Sequence, residues 1–332
     1  MKTYTFKKRR LGKIDFQASE VGLGTWQLGS DWGKVDDRLA QEILSSAVDQ
    51  GVNFFDTADV YGEGLSEERI GKFLKGCGEK ILVATKFGRF PRPGWPKNFS
   101  LYSMQTHMEG SLKRLGLEAI DLIQVHCIPT DFLKKPELIE WLKILKKSGK
   151  IKNYGMSVET VAEAEYCLGG DGVASLQIIF NIFRQKPIES LLAKAKAKGV
   201  ALIIRLPLAS GLLSGKFDKT TQFADHDHRR YNCDGQRFNV GETFAGIPFK
   251  EGLDLVEELR GLVPKGMTMS QMALRWILDF DAVSVVIPGA TSAKQVAENI
   301  SASEVPALSP ELHQKLSEFY QEKALKHIRG KY

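Results

Sequence analysis

VNFFDTADVYGEGLSEERIGKFL, running from Val52 to Leu74, is the stretch whose reading decides the fold. Val52 to Phe55 is a short apolar, aromatic run of the kind that forms a buried strand. The run stops on Asp56, and Tyr61 follows five residues later on a glycine-bounded turn, Tyr61-Gly62-Glu63-Gly64. Ser66 is the expected N-cap of the next helix, with Glu67 and Glu68 in its first turn, where carboxylates suit the positive end of the helix dipole. The order strand, polar loop, helix sets an acid at the C-terminal end of a strand and a phenol just beyond it. That is the face on which α/β barrels carry their chemistry.

Two further strands deliver ionisable residues in the same manner. Ile81 to Thr85 reads as a buried strand that ends on Lys86, and Ile120 to Val125 as another that ends on His126. Each of these alone is commonly a solvated or structural side chain. Three strand ends and a tyrosine together point to a site.

FFDTADVYGEGLSEERIGKFL, ILVATKFGR and LKRLGLEAIDLIQVH closely resemble the aldo-keto reductases, and the resemblance extends from about Ser19 to Ala302. It implies a (β/α)8 TIM barrel with an N-terminal β-hairpin, long loops over the C-terminal face and a C-terminal helix. It also implies reduction of aldehydes or ketones with a nicotinamide cofactor, usually NADPH, with NADH as a second option. Carried over by position, Tyr61 is the acid, Lys86 its charge partner, Asp56 the partner of Lys86, and His126 the residue that orients the substrate. The four types suit one reaction. Hydride arriving at a carbonyl carbon leaves an alkoxide, which needs a proton donor within hydrogen-bond reach. A tyrosine of ordinary pKa, about 10, is a poor acid at neutral pH, and an ammonium beside it would lower that value.

The resemblance assigns the remaining contacts too. Val21 to Thr25 is the expected first barrel strand, with Gly24 and Thr25 beside the cofactor and Trp26 as an apolar wall. Phe87 and Cys127, which directly follow Lys86 and His126, are expected to line the substrate pocket with Trp26. The fifth strand, Ile151 to Ser157, offers Ser157 to the nicotinamide carboxamide, but Val158 stands where the family has Asn. Gln177, on the sixth strand, matches the second carboxamide contact. After the seventh strand, PLASGLLSGK resembles the family's pyrophosphate loop, with Pro207, Leu208, Ser210, Gly211, Leu213 and Lys216 as contacts. Small residues there let backbone N–H groups approach phosphate closely. Arg205 stands where many relatives carry an aromatic that stacks on the nicotinamide; a planar guanidinium can stack as well. Past the eighth strand, the segment that holds the adenosine 2′-phosphate has Gly289 for the usual Lys and Gln295 for the usual Arg. Ser292, Glu298 and Asn299 match the other contacts, and Lys294 is a substitute charge.

The chain has 332 residues, 43% hydrophobic and 26% charged, with a net charge of +6. Length and the absence of repeats or low-complexity linkers fit one domain over residues 1–332, since barrels of about 250 residues are single domains with room for insertions. No pattern of basic and aromatic residues points to nucleic acid. No apolar run approaches the ~18 residues of a membrane span, and the N-terminus lacks a signal-like apolar region. Cys77, Cys127, Cys167 and Cys233 are scattered without CxxC spacing, so a cytoplasmic protein without disulfides or zinc is expected. Tyr4 to Ser19 is read as a hairpin under the barrel floor. Residues 217–248 form a long insertion, read as loops over the pocket. His226-Asp227-His228 within it invites a metal, but no further ligand spacing supports one, and none is expected. The expected partner is a small carbonyl compound, with oligomeric state left open. A second functional class also keeps the four residues: barrels that bind the cofactor mainly to regulate a protein partner, as the family's potassium-channel β subunits do.

Overall fold

A computed structural model describes residues 7–29, 32 and 35–332. Eight parallel strands form one sheet in sequence order: β1 Leu23–Gly24, β2 Phe54–Asp56, β3 Leu82–Phe87, β4 Leu122–His126, β5 Tyr154–Ser157, β6 Val173–Ile179, β7 Ala201–Arg205 and β8 Val283–Val286. The sheet curls until its edges meet. Val21 bridges Val286 and Gly24 bridges Gly289, with Gly22 N–H donating to the Val286 carbonyl at 2.8 Å and Gly24 N–H to that of Pro288 at 3.1 Å. Helices follow the strands and pack outside, an α/β barrel. Strands covered on both faces read as largely apolar runs, as Ala201–Ile204 in β7 does.

The expected hairpin is present as Lys8–Arg10 paired antiparallel with Gln17–Ser19; its Tyr4 end lies outside the described residues. Leu11, Ile14 and Ala18 plug the barrel floor against Phe54, Leu82, Leu122, Ala201 and Val285. Ser66 is not the cap of its helix. Helix Leu65–Leu74 starts after Gly64 at φ 103°, and the Ser66 hydroxyl is buried within the first turn, donating to Thr25 Oγ1 at 2.9 Å. Glu67 is buried too, accepting from Thr85 and from Arg114 Nε at 2.7 Å. The C-terminal helix is regular over Pro310–Phe319 and then passes through a π turn, Tyr320–Ala324, and a 3₁₀ turn, Leu325–His327. Phe319 and Tyr320 are buried and join the hydrophobic core. Among the described residues no helix is long and apolar enough to cross a membrane.

Register determines what meets at the barrel mouth. Gly24 lies beside Asp56, Lys86 beside Gln124, and His126 beside Ser157, which lies beside Gln177. With a side-chain period of two, Gln124 and His126 share the inward face of β4.

Candidate active site

Lys86 extends from β3 into the barrel with its side chain fully buried. Its Nζ donates to Asp56 Oδ1 at 2.5 Å, to the Thr57 carbonyl at 2.8 Å and to the Tyr61 hydroxyl at 3.2 Å. Burial alone would favour the neutral amine, but Asp56 and Tyr61 outweigh it, so the Lys86 pKa is raised and the ammonium persists. Asp56 Oδ2 accepts from Gln177 Nε2 at 2.7 Å and from Gln124 Nε2 at 3.3 Å. Three donors from three strands thus fix one carboxylate. Tyr61 stacks on Trp26, with ring centroids 5.7 Å apart and planes at 14°.

The Tyr61 pKa departs from the sequence expectation. Lys86 does lower it, but burial raises it more, and the phenol titrates above its ordinary value. Tyr61 is therefore a protonated donor at neutral pH rather than one poised to ionise. His126 lies edge-on to it at 6.0 Å between centroids. Burial first, and then Arg89, Lys86 and Arg205, push the His126 pKa well below its usual range, so the imidazole is neutral. Its Nδ1 has no hydrogen-bond partner among the described residues.

Asp56, Tyr61, His126 and Gln177 face a cavity of about 1250 Å³, above the roughly 300–1,000 Å³ of a single small-ligand site. Gly24, Thr25, Trp26, Cys127, Gln177, Arg205, Pro207, Leu208, Ser210, Gly211, Lys216, Gly289, Gln295, Glu298 and Asn299 line it. Four expected contacts do not. Phe87 is fully buried and packs on Phe99, because alternation on β3 turns it away from the mouth that Lys86 faces. Leu213 is core. Ser292 caps helix Ala293–Ile300, accepting from Gln295 N–H at 3.3 Å. Ser157 is buried and donates to Gln177 Oε1 at 3.3 Å, so both expected carboxamide contacts are engaged with protein groups.

The chain around the cavity is tightly constrained at several points. Leu206, Ala209, Ser210 and Gly211 have positive φ, which turns the chain after β7 tightly against the channel. A Cβ on Gly24 would come within 2.7 Å of the Ile287 carbonyl. At the far end Lys216 Nζ reaches Glu298 Oε2 at 2.9 Å, and Asn299 Nδ2 donates to the Gly289 carbonyl at 3.2 Å. A Cβ on Gly289 would lie 2.0 Å from Gln27 Oε1, so Gln27 occupies the space a lysine there would need. The Gln295 side chain turns back to accept from Thr291 N–H at 2.7 Å.

The insertion closes over the reaction end. His228 packs between Trp26 and Trp32 at 4.7 and 4.2 Å, and Phe238 approaches Trp26 at 5.9 Å. Asp227 holds Arg229 through both carboxylate oxygens, at 2.9 and 2.5 Å. Sequence reasoning missed two groups. Gln124 shares inward parity with His126, and that parity is the signal that could have found it. Glu242, from the insertion, joins Arg89 at 2.7 Å and Arg205 at 3.4 Å, while Glu159 holds Arg89 at 2.9 Å. Cys127 Sγ, Glu159 and Glu242 converge closely enough to suggest metal ligands, but both carboxylates already hold arginines.

The aldo/keto reductase family model matches residues 20–321. The chain belongs to that family. It is 32% identical to the aldo-keto reductase YhdN of Bacillus subtilis over 84% of this chain and 83% of that one. It is 30% identical to the NADH-specific methylglyoxal reductase of Escherichia coli over 89% and 93%. The holo form of the aldo-keto reductase AKR11C1 from Bacillus halodurans superposes with a TM-score of 0.76 at 29% identity, covering 96% of this chain and 99% of that one. As an aldo/keto reductase the protein is an oxidoreductase acting on carbonyl compounds, and the family uses nicotinamide cofactors.

Proposed function

We propose that the protein reduces an aldehyde or ketone to an alcohol, with NADPH as the preferred cofactor and NADH also accepted. The observation that carries this reading is the Tyr61 hydroxyl 3.2 Å from the buried Lys86 ammonium, in a cavity that also opens on His126. When bound, the cofactor supplies a hydride to the carbonyl carbon. Tyr61 donates its proton to the carbonyl oxygen as negative charge develops there. Lys86 stabilises the phenolate that remains, and Asp56, fixed by Gln124 and Gln177, keeps Lys86 in reach. His126, neutral, can donate to the same oxygen and polarise it. Solvent returns the proton to Tyr61.

The channel supports both cofactors. Lys216 and Lys294 offer positive charge near the expected 2′-phosphate, but Glu298 stands between them, 2.9 and 4.0 Å away. The NADH-specific relative in Escherichia coli fits a small preference rather than a strict one. We further propose that residues 1–332 act as one domain on a small-molecule substrate in the cytoplasm, where the four free cysteines would stay reduced.

Tyr61→Phe tests the assignment. It should bind NADPH within about threefold of wild type yet lose ~10²–10⁴-fold in kcat, the usual worth of general acid catalysis. Near wild-type turnover of an aldehyde would remove Tyr61 from the role.

A further inference from the structure

The ionic cluster at the reaction end has a division of labour that the four proposed reaction residues do not explain. Arg89, just past the end of β3, and Arg205, at the end of β7, both line the cavity beside His126 and Cys127. Arg205 is only 8% exposed. Two carboxylates answer these two cations, but unequally. Glu159 reaches Arg89 alone, and its second oxygen accepts from Asn239 Nδ2 at 2.6 Å. Glu242 reaches both, with one oxygen on each arginine. Beyond Glu242, Arg205 has the Val158 carbonyl at 3.3 Å and Cys127 Sγ at 3.5 Å, dipoles rather than charges.

Glu242 is built to stay ionised. Burial would push its carboxyl up, yet Arg89 and Arg205 hold it below the usual carboxylate range. The backbone around it is fixed: Ser210 Oγ donates to the Glu242 carbonyl and accepts from Phe244 N–H, both at 3.1 Å. The cluster is also within electrostatic reach of the reacting groups. Glu242 is among the charges that act on Tyr61, behind burial, Lys86 and Asp56. Arg89 and Arg205 are among those that depress His126, behind burial.

Any ring that exchanges hydride with a carbonyl held by Tyr61 and His126 lies at this end of the cavity. A dihydronicotinamide ring is neutral, and losing hydride makes it a cationic pyridinium. Two guanidinium groups without compensation, one buried and one partly buried, would repel the oxidised ring and leave the reduced ring nearly unaffected. We infer that Glu242 is a positioning residue that neutralises Arg89 and Arg205 and thereby sets the relative affinity of the site for oxidised and reduced nicotinamide. This rests on the function proposed above.

The test is a set of binary dissociation constants for NADP⁺ and NADPH, read by quenching of intrinsic fluorescence, in wild type, Glu242→Gln, Glu242→Asp and Glu159→Gln. The amide of Glu242→Gln keeps the shape and one acceptor but removes the charge of the carboxylate that pairs directly with Arg205, leaving it only the more distant Glu159. One uncompensated unit charge in a partly buried site should weaken NADP⁺ by about tenfold or more, with NADPH changed by less than about threefold. Glu242→Asp should restore most of the wild-type ratio, and Glu159→Gln should shift it less, because Arg205 keeps Glu242. Equal weakening of both cofactors by Glu242→Gln would make the residue merely structural and overturn the inference. So would an unchanged ratio. If Glu242→Gln does not fold, the Glu242→Asp and Glu159→Gln ratios decide: a larger shift for the charge-conserving Glu242→Asp than for Glu159→Gln overturns it. Wild-type protein that binds neither nucleotide would sink the proposed function itself, a result distinct from normal binding with an unmoved ratio.

Discussion

At the reaction end of the cavity the Lys86 and Asp56 side chains are 0% and 3% exposed, whereas at the far end Lys216 and Glu298 are 57% and 36% exposed. Both are lysine–carboxylate pairs, at 2.5 and 2.9 Å. Their environments make them different objects. Exposed pairs gain little, typically ~0–1 kcal/mol, because water competes and salt screens. A buried pair is costly to assemble, and removing one partner strands the other, which costs about 3–5 kcal/mol. The reaction end is therefore a set of mutually dependent groups, and the far end a set of replaceable ones. Substitutions should be severe and non-additive at the first end, mild and separable at the second.

Lys86→Met should have the largest effect. It removes the charge that stabilises the Tyr61 phenolate and strands Asp56, so kcat should fall ~10²–10⁴-fold. The protein should still bind NADPH with quenching of its fluorescence, since Lys86 does not line the cavity. Asp56→Asn should cost less, but by a route that depends on its neighbours. Asp56 accepts from Lys86 on one oxygen and from Gln124 and Gln177 on the other. Asparagine has only one oxygen, so the two glutamine amides must turn over. Gln124 Oε1 has no hydrogen-bond partner among the described residues and is available for that. The double mutant should be little worse than Lys86→Met alone. Losses that add fully in log kcat would mean that the pair does not act as one unit.

Much of the reaction end was legible in the sequence, for a physical reason. Parallel strands buried on both faces are almost wholly apolar, so Asp56, Lys86 and His126 stand out at the ends of FFD, LVATK and LIQVH. What failed depended on burial, parity or distant pairing. Phe87 was expected in the pocket because it adjoins Lys86, but adjacent strand residues face opposite ways. Ser66 has the chemistry of a cap, and only the packed structure reveals Thr25 as its partner. Lys86 as a neighbour of Tyr61 was readable, but the burial that reverses the net pKa shift was not. Glu242 lies in an irregular insertion 153 positions from Arg89, and nothing local marks it.

The pH dependence sharpens the contrast by a smaller effect. A His126 imidazole near its ordinary pKa of about 6.5 would give kcat/KM a limb in the neutral range. Held well below that value, it should give none, so the profile should be flat from about pH 6 to 9. Tyr61 must be protonated to donate, and its pKa is raised, so reduction should persist through neutral pH. It should decline only as pH rises past the ordinary tyrosine value of about 10. A limb near pH 6.5 that disappears in His126→Gln would show that the imidazole does titrate there, and that the burial argument for His126 fails.

Gln295→Arg should give the smallest effect, because it acts where water competes. The added guanidinium can pair with the cofactor's 2′-phosphate, so NADPH should bind a few-fold more tightly. NADH has no such phosphate to gain from it. The substitution also removes the brace that Gln295 Oε1 provides to Thr291 N–H and Oγ1, at 2.7 and 3.1 Å. That loss acts through the loop and weakens both cofactors alike. The informative quantity is therefore the ratio of the NADH and NADPH dissociation constants, from which the shared loss cancels. The ratio should rise a few-fold at low salt and less at high salt, since a half-exposed charge is screened. A ratio that does not move would mean that residue 295 faces away from the phosphate. A ratio that moves without salt dependence would mean that the far end is more enclosed than the exposure of Lys216 and Glu298 implies, and the contrast between the two ends would narrow.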